Sequence, residues 1–401
     1  MTRLRLVGVW ALHALLLTAG VVWATDRWQT LQDTRQLPEL RNDPIQISPL
    51  YDRPEIVSDE QLVAVLEKLK PTFRHTKPKI NFVDHALRCW GVEAVFDDPD
   101  ALSGVELREL LVDHRQFELA WGKSETPFLS GGPAGVRVRT RDGNATASHV
   151  DHTLACLAEV GTPLDYPIRT PTGETQMRAI LTQSMRDFSL NQIEYEWSAL
   201  TYALYLPPHD HFFSTEGQKV SFDLLAERIM RQRLSQGVCR GNHRLHALVV
   251  LLRVDDQYRI LSPDSRQQVI GYLQDVTRRF VENQHPDGYW DSVWSGVEWD
   301  GAARSIDSTL TPLTSRLLVT GHVLEWWALA PPEILPPDEV LVKAGQWLCR
   351  SIGDLSDSQV VRNYTFLSHA GHALSLWRHR SPAESLALHR HEKTREALPR
   401  R

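Results

Sequence analysis

Several familiar catalytic signatures are missing from this 401-residue chain. It has no Gly-rich phosphate loop, zincin motif, nucleophile elbow or kinase signature, so the enzyme classes built on those devices are set aside. Basic charge is also scarce. The net charge is -6, and without clustered Lys and Arg there is no surface to displace phosphate counterions, which excludes nucleic acid as a partner. The one basic stretch, within residues 381–401, reads as a solvated, disordered tail. Cysteine is limited to Cys89, Cys156, Cys239 and Cys349. These are too dispersed for a disulfide scaffold. Each falls in or beside a predicted helix, where a thiol packs as a small hydrophobe, and pairing is allowed but not required. Strand signals are almost absent, and nothing beyond the N-terminus approaches a membrane-spanning length.

What is present is the material of a large core. Hydrophobic residues make up 42% and charged residues 23%, a globular composition. The length suits two or three domains or one repeat-built domain. Thirteen tryptophans serve cores and ligand clefts alike, and most are assigned to the core.

Arg3 and Arg5 precede an apolar run from Leu6 to Val22, and Val22-Trp23-Ala24 places small residues at signal-peptidase positions. Residues 1–24 therefore read as a cleavable export signal or an uncleaved anchor. Either reading puts the bulk of the chain in the periplasm or outside the cell, with membrane contact through this segment only. Residues 25–57, with Pro38, Pro44, Pro49 and Pro54, read as an extended linker.

A globular domain over 58–380 opens at Ser58, an N-cap before Leu62, Val65, Leu66 and Leu69 at helical spacing. Periodicity predicts helices near 60–70, 80–90, 105–113, 148–160, 174–189, 193–205, 221–235, 240–254, 264–284, 316–330, 338–353 and 361–378. One β-hairpin is expected around Gly135 to Arg139, turning at Asp142-Gly143.

Repetition sets the architecture. Val83-Asp84-His85-Ala86-Leu87-Arg88-Cys89 recurs as Val150-Asp151-His152-Thr153-Leu154-Ala155-Cys156, and looser His-x-Leu forms follow at His243, His322 and His372. These lie on alternate predicted helices; the sixth carries Glu196-Trp197 instead. Such alternation predicts an all-α fold of about six helical hairpins in two rings, an α/α toroid with a small β-hairpin excursion.

The stretch from Gln284 to Trp290, Gln-His-Pro-Asp-Gly-Tyr-Trp, resembles the Gln-x-x-x-Gly-x-Trp repeat of squalene and hopene cyclases and protein prenyltransferase β-subunits. The resemblance covers about a dozen residues, occurs once, and implies the α/α-toroid shape, with Gln284 and Trp290 tying an outer helix to the next hairpin. It does not imply either chemistry. Asp97-Asp98-Pro99-Asp100 and Asp255-Asp256 do not match the cyclase Asp-x-Asp-Asp motif, and Gly237 stands where the prenyltransferase zinc ligand Asp would be. Toroids of this general architecture also include glycan lyases, hydrolases and sugar epimerases, which bind substrate near the N-terminal ends of inner helices.

The residues before the repeated histidines, Asp84, Asp151, Asn242, Gly321 and Gly371, all suit N-caps, which would seat each imidazole in a first helical turn at one mouth. Two readings stand: a cleft of neutral general bases, or one interhelix hydrogen-bonding residue per hairpin. The catalytic candidates are His152, His243, His322 and Glu196, the last preferred over Glu194 and otherwise a structural carboxylate. His85, His246 and His372 are candidates for substrate contact. Asp287, Tyr289 and Trp290, with Trp294 and Trp299, form an aromatic loop that suits sugar stacking and hairpin locking equally. Cys239, His243 and His246, spaced i, i+4 and i+7, would suit zinc if the helix began early enough. Gly237, Gly241 and Asn242 place its start beyond Cys239, so no cofactor is expected and zinc is the alternative.

The expected function is therefore an exported toroid enzyme, a lyase, epimerase or hydrolase acting by His/Glu acid-base chemistry on a carbohydrate-like small molecule or glycan. The alternatives are a non-catalytic scaffold of the envelope and a cyclase- or prenyltransferase-like protein without the Asp-rich motif.

Overall fold

The computed structural model describes residues 2–33, 37–74, 77–140, 143, 145–192, 194–234, 237–295 and 310–397. In chain order the first helices are α1 (Thr2–Asp33), α2 (Asp59–Lys68), α3 (Ile80–Trp90), α4 (Gly104–Val112) and α5 (His114–Trp121). Strands β1 (Leu129–Gly131) and β2 (Val136–Val138) lead to α6 (His152–Glu159). Next come β3 (Pro167–Thr170), β4 (Gly173–Gln176), α7 (Arg178–Asp187), α8 (Glu196–Tyr205), β5 (His211–Phe213) and β6 (Lys219–Ser221). The rest is helical: α9 (Phe222–Arg231), α10 (Asn242–Tyr258), α11 (Pro263–Glu282), α12 (Pro312–Leu329), α13 (Asp338–Gly353), α14 (Asp357–Arg362), α15 (Tyr364–Leu376) and α16 (Pro382–Ala397). The strands form three separate antiparallel hairpins.

Two kinds of helix alternate. All ten residues of α8 are buried, and α10, α12 and α15 are buried nearly all round, as helices enclosed by other helices must be. By contrast α9, α11 and α13 each bury one stripe. The buried set packs in sequence: α3 on α6, α6 on α8, α8 on α10, α10 on α12, α12 on α15, and α15 back on α3. The one-sided helices lie outside them, with α13 reaching α2.

Several helix starts are fixed by side-chain caps. Ser58 and Ser103 both form capping boxes: Ser103 Oγ accepts from the Glu106 amide at 3.3 Å, and Glu106 Oε2 accepts from the Ser103 amide at 2.8 Å. Replacing Ser103 with Ala should cost about 1 kcal/mol, read as a lower urea midpoint with unchanged slope.

Several expectations need correction. The β1–β2 turn spans Gly132 to Gly135, not Asp142-Gly143; Asp142 lies outside the described residues. A Cβ on Gly135 would meet the Ala179 carbonyl oxygen at 2.0 Å, so close packing on α7 dictates that glycine. The helix expected from 174 starts at Arg178, because 173–176 pair with 167–170. Helix α5 had no counterpart; Asp113 starts it by accepting from the Arg115 amide at 2.7 Å. Residues 382–397 form α16, which packs on α2, and are not a loose tail.

The linker expected over 25–57 is helical to Asp33, and from residue 37 on it belongs to the body. Leu40, Ile45, Ile56 and Val57 are buried. Arg41 and Ile45 donate to the Tyr205 and Leu204 carbonyls, Tyr51 Oη donates to the Ala330 carbonyl, and the Arg53 amide donates to that of Trp377. The strap thus satisfies carbonyls left open at the C-terminal ends of α8, α12 and α15.

Helix α1 contains one segment, Val7–Gln29, long and apolar enough to cross a membrane. A secretion signal meets the same test of length and composition.

The Gln284–Trp290 loop is a lock. Gln284 Nε2 donates to the Gly288 and Val340 carbonyls at 3.0 and 2.9 Å, and Trp290 Nε1 donates to the Phe280 carbonyl at 2.7 Å. Gly288, at φ 107, leaves no room for a Cβ against the Lys343 carbonyl.

Candidate functional site

Each of the six enclosed helices sends one ring to a common centre. Passing round it, His85 of α3 lies 4.7 Å from His152 of α6, centroid to centroid, and His152 lies 4.7 Å from Trp197 of α8. Trp197 is 4.7 Å from His243 of α10, His243 is 5.2 Å from His322 of α12, and His322 stacks at 3.7 Å on His369 of α15. His369 returns to His85 at 5.0 Å. All five imidazoles are buried.

Three of the residues that precede a ring, expected to be caps or catalytic groups, instead tie their helix to the next one. Asp84, inside α3, accepts from Thr153 Oγ1 and from His152 Nδ1 on α6. Asp151 takes a left-handed backbone (φ 57) and accepts from Ser184 of α7 and Ser198 of α8. Glu196 continues the series, with Oε1 3.7 Å from Arg244 Nε on α10. Thr153, Ser198 and Arg244 each follow a ring residue, so three successive helix pairs use the same register. Glu196 is therefore engaged with Arg244 and not with the imidazoles. Burial raises its carboxyl, opposed by Arg244. Glu194 is the acid that reaches a histidine, accepting from His149 Nδ1 at 2.8 Å, and the His149 ring lies 5.8 Å from His243.

A second layer lies further along five of these helices, one turn on at Arg88, His246, Glu325 and His372 and two turns on at Glu159. Arg88 Nε donates to Glu159 at 2.6 Å and its Nη1 to Glu325 at 2.6 Å. His369 Nδ1 and His372 Nδ1 each lie 2.7 Å from a Glu325 oxygen. Burial alone would raise the two carboxyls, yet Arg88 holds both well below the ordinary carboxylate range. Arg88, Glu159 and His372, with Ile45 and Ile47 of the strap, line a small cavity of about 70 Å³. His372 thus sits a turn below the ring residue of its own helix, which is His369.

Hydrogen bonding to main-chain carbonyls sets the tautomers of His85 and His322, and carboxylates orient His152 and His369. Nδ1 of His85 donates to the Asn81 carbonyl at 2.6 Å and that of His322 to the Leu318 carbonyl at 2.7 Å. Nδ1 of His369 faces Glu325, and that of His152 faces Asp84 at 3.2 Å. The Nε2 lone pairs are left for the interior, the arrangement found in metal-ligating histidines, whose other nitrogen is held by a carbonyl or carboxylate. His369 Nε2 and His243 Nδ1 are buried with no hydrogen-bond partner among the described residues. Burial keeps His85, His152, His243, His322 and His369 below the ordinary imidazole range.

Within this centre Cys239, His243 and His322 place ligand atoms within 4.8 Å of one another, and the two Nε2 atoms are 3.2 Å apart. Cys239 is not on α10. It reaches the centre from a turn in which Cys239, Arg240 and Gly241 are all left-handed (φ 50, 57 and 80), a costly backbone of the kind retained at functional sites. The expected third member, His246, belongs to the second layer, 3.0 Å from Arg88 and 3.1 Å from Glu159; His322 replaces it. One thiolate and two imidazoles form a donor set that fits zinc.

The aromatic loop is elsewhere. Tyr289 packs on His285 and Trp347, Trp290 on Phe280 and Trp327, and Asp287 is exposed. Among the described residues none of the three contacts an axial imidazole, so of the two readings the geometry serves locking. Trp294 stacks on Phe280 at 3.7 Å in the same outer layer; Trp299 lies outside the described residues. Sequence reading missed Arg88, Glu159, Trp197, Glu325 and His369. The available signal was the i, i+3 spacing that relates His85 to Arg88, His322 to Glu325 and His369 to His372. Comparison of the chain with family models, curated proteins and solved structures gives no match.

Proposed function

We propose that this chain is an exported α/α toroid, held at the cell envelope by its first helix, with a zinc-dependent enzyme centre on its axis. The cyclic packing order of α3, α6, α8, α10, α12 and α15 supports the architecture. Arg3 and Arg5 before the apolar segment support a cytoplasmic N-terminus with the body on the far side.

The observation that carries the catalytic reading is the closed circuit of five imidazoles and one indole in an acid-rich surrounding. Asp84 and Glu325 are buried and Glu159 is half-buried; the Arg88 guanidinium donates to the two glutamates, and Asp84 has only His152 and Thr153. Uncompensated buried charge is expensive, and the imidazoles resist protonation. A divalent cation supplies the missing positive charge. Cys239, His243 and His322 would hold it, and zinc bound by three protein ligands provides Lewis acidity and an acidified water in its fourth position. His369, whose Nδ1–H is held by Glu325, presents Nε2 as a base, and His152 with Asp84 is built likewise. Metal-assisted hydrolysis or proton abstraction on a small, hydroxyl-rich substrate is the chemistry that this set serves.

Metal analysis of the full-length protein tests the reading. We expect about one equivalent of zinc, lost in Cys239→Ser and in His322→Ala and kept in His246→Ala. A metal-free wild-type protein, or loss through His246 alone, rejects it.

A further inference from the structure

We propose that the cavity between β2, the N-terminus of α6 and α7 binds the ammonium group of a small amino sugar, with Asp151 as counter-charge. The cavity has a volume of about 220 Å³. Val138, Val150, Ile180 and Phe188 give it an apolar wall, and Asp151, Ser184 and Gln192 a polar one.

Asp151 is unusual in three respects. Its backbone is left-handed, a region that residues other than glycine seldom take and that Asp and Asn enter more readily than most. Standing at the N-cap of α6, it does not cap the helix. Instead its Oδ2 accepts from Ser184 Oγ at 2.8 Å and from Ser198 Oγ, and among the described residues no bond to Oδ1 is found. Among the described residues no cation pairs with it. Arg137, the guanidinium on the cavity wall, is taken by Asp187 at 3.0 and 3.1 Å. Burial accordingly pushes the Asp151 carboxyl up. An acid facing a cavity, with one oxygen bonded and no counter-charge among the described residues, is completed by a ligand that brings one.

The other walls narrow the class. A sugar acid would place a second anion beside Asp151, and a plain alkylammonium would leave unused the remaining lone pairs of Ser184 and Gln192, whose protons go to Asp151, Ser198 and the Glu194 carbonyl. A single hydroxylated ring bearing an ammonium meets both walls, its C–H face on the valines and its hydroxyls on the amide and serine edge.

The cavity also adjoins the centre. Gln192 Nε2 donates to Ser198 Oγ at 3.2 Å and to the Glu194 carbonyl at 2.8 Å, and Glu194 holds His149 against His152 and His243. Assigning the ligand as substrate rests on the axial reading above; its binding does not.

The test is titration of zinc-loaded, full-length protein in detergent with D-glucosamine and with D-glucose, followed calorimetrically. The expected result is a preference for glucosamine of about tenfold or more, the usual weight of a charge-assisted hydrogen bond. Asp151→Asn, which tolerates the left-handed backbone and still accepts both serine bonds, should remove the preference and leave zinc content and melting unchanged. His322→Ala should lose zinc and keep glucosamine binding. Equal affinity for the two sugars, binding of neither, a preference that survives Asp151→Asn, or loss of glucosamine with the metal would each overturn the proposal. Glucosamine binding in a protein that holds no zinc would leave it standing and remove the axial reading.

Discussion

Lowering the pH below about 6.5 should cost this protein stability at up to about 4 kcal/mol per pH unit. The figure comes from His85, His152 and His369, which lie at the centre but outside the proposed metal set. Burial keeps each folded imidazole below its ordinary range, partly opposed by Asp84 at His152 and by Glu325 at His369. Unfolded histidines titrate near 6.5. Between the folded and unfolded values the unfolded chain carries more protons. Stability therefore rises with pH across that window and falls as pH drops through it, the reverse of a histidine that gains an acidic partner on folding. Each group contributes about 1.4 kcal/mol per unit, and coupling within the cluster makes the sum a ceiling. Against a total of about 5–15 kcal/mol for a typical domain, acidification by two units is enough to threaten the fold. Urea titrations of the full-length protein at half-unit steps from pH 7.5 to 5.0 read the slope directly. A flat profile would mean that the imidazoles are protonated or solvated in the folded state.

Replacing Arg88 with Met should be the most damaging single substitution near the axis. Arg88 donates to both Glu159 and Glu325, and its side chain is 3% exposed. Methionine fills much of the same volume and leaves two carboxylates without their cation. Breaking a buried pair from one side typically costs about 3–5 kcal/mol. The carboxyls that Arg88 holds down would move up toward neutrality, so the variant should lose less stability than wild type on acidification through the carboxylate range. Adding Glu325→Gln should recover part of the loss, because it removes one of the stranded charges. A single-variant cost within about 1 kcal/mol, the size expected of solvated pairs, would show that water reaches the layer.

Much of this arrangement could be read from the chain because its periods are strong. The recurrence of His-bearing segments on alternate helices identified α3, α6, α10, α12 and α15, and Glu196-Trp197 marked α8. What failed was local. Asp84, Asp151 and Glu196 were read as caps or as chemistry, since a lone sequence shows the residue type and not its partner one helix away. His372 was taken for the ring residue because Gly371-His372 imitates Gly321-His322; the true equivalent, His369, is one turn earlier. The strap over 37–57 has no period to detect, because its apolar residues meet the ends of several helices instead of one face. Cys239 was excluded from a helix correctly, but a left-handed turn carries it to the same centre by a route that helical spacing does not describe.

The central claim is that the imidazoles of separate helices and the turn thiol meet around one cation. X-ray absorption at the zinc edge of the full-length protein measures this directly. We expect one sulfur at about 2.3 Å and nitrogen scatterers at about 2.0–2.1 Å in a four-coordinate shell, and no zinc edge above background in Cys239→Ser. A shell without sulfur, or a protein that holds no tightly bound metal, would contradict it.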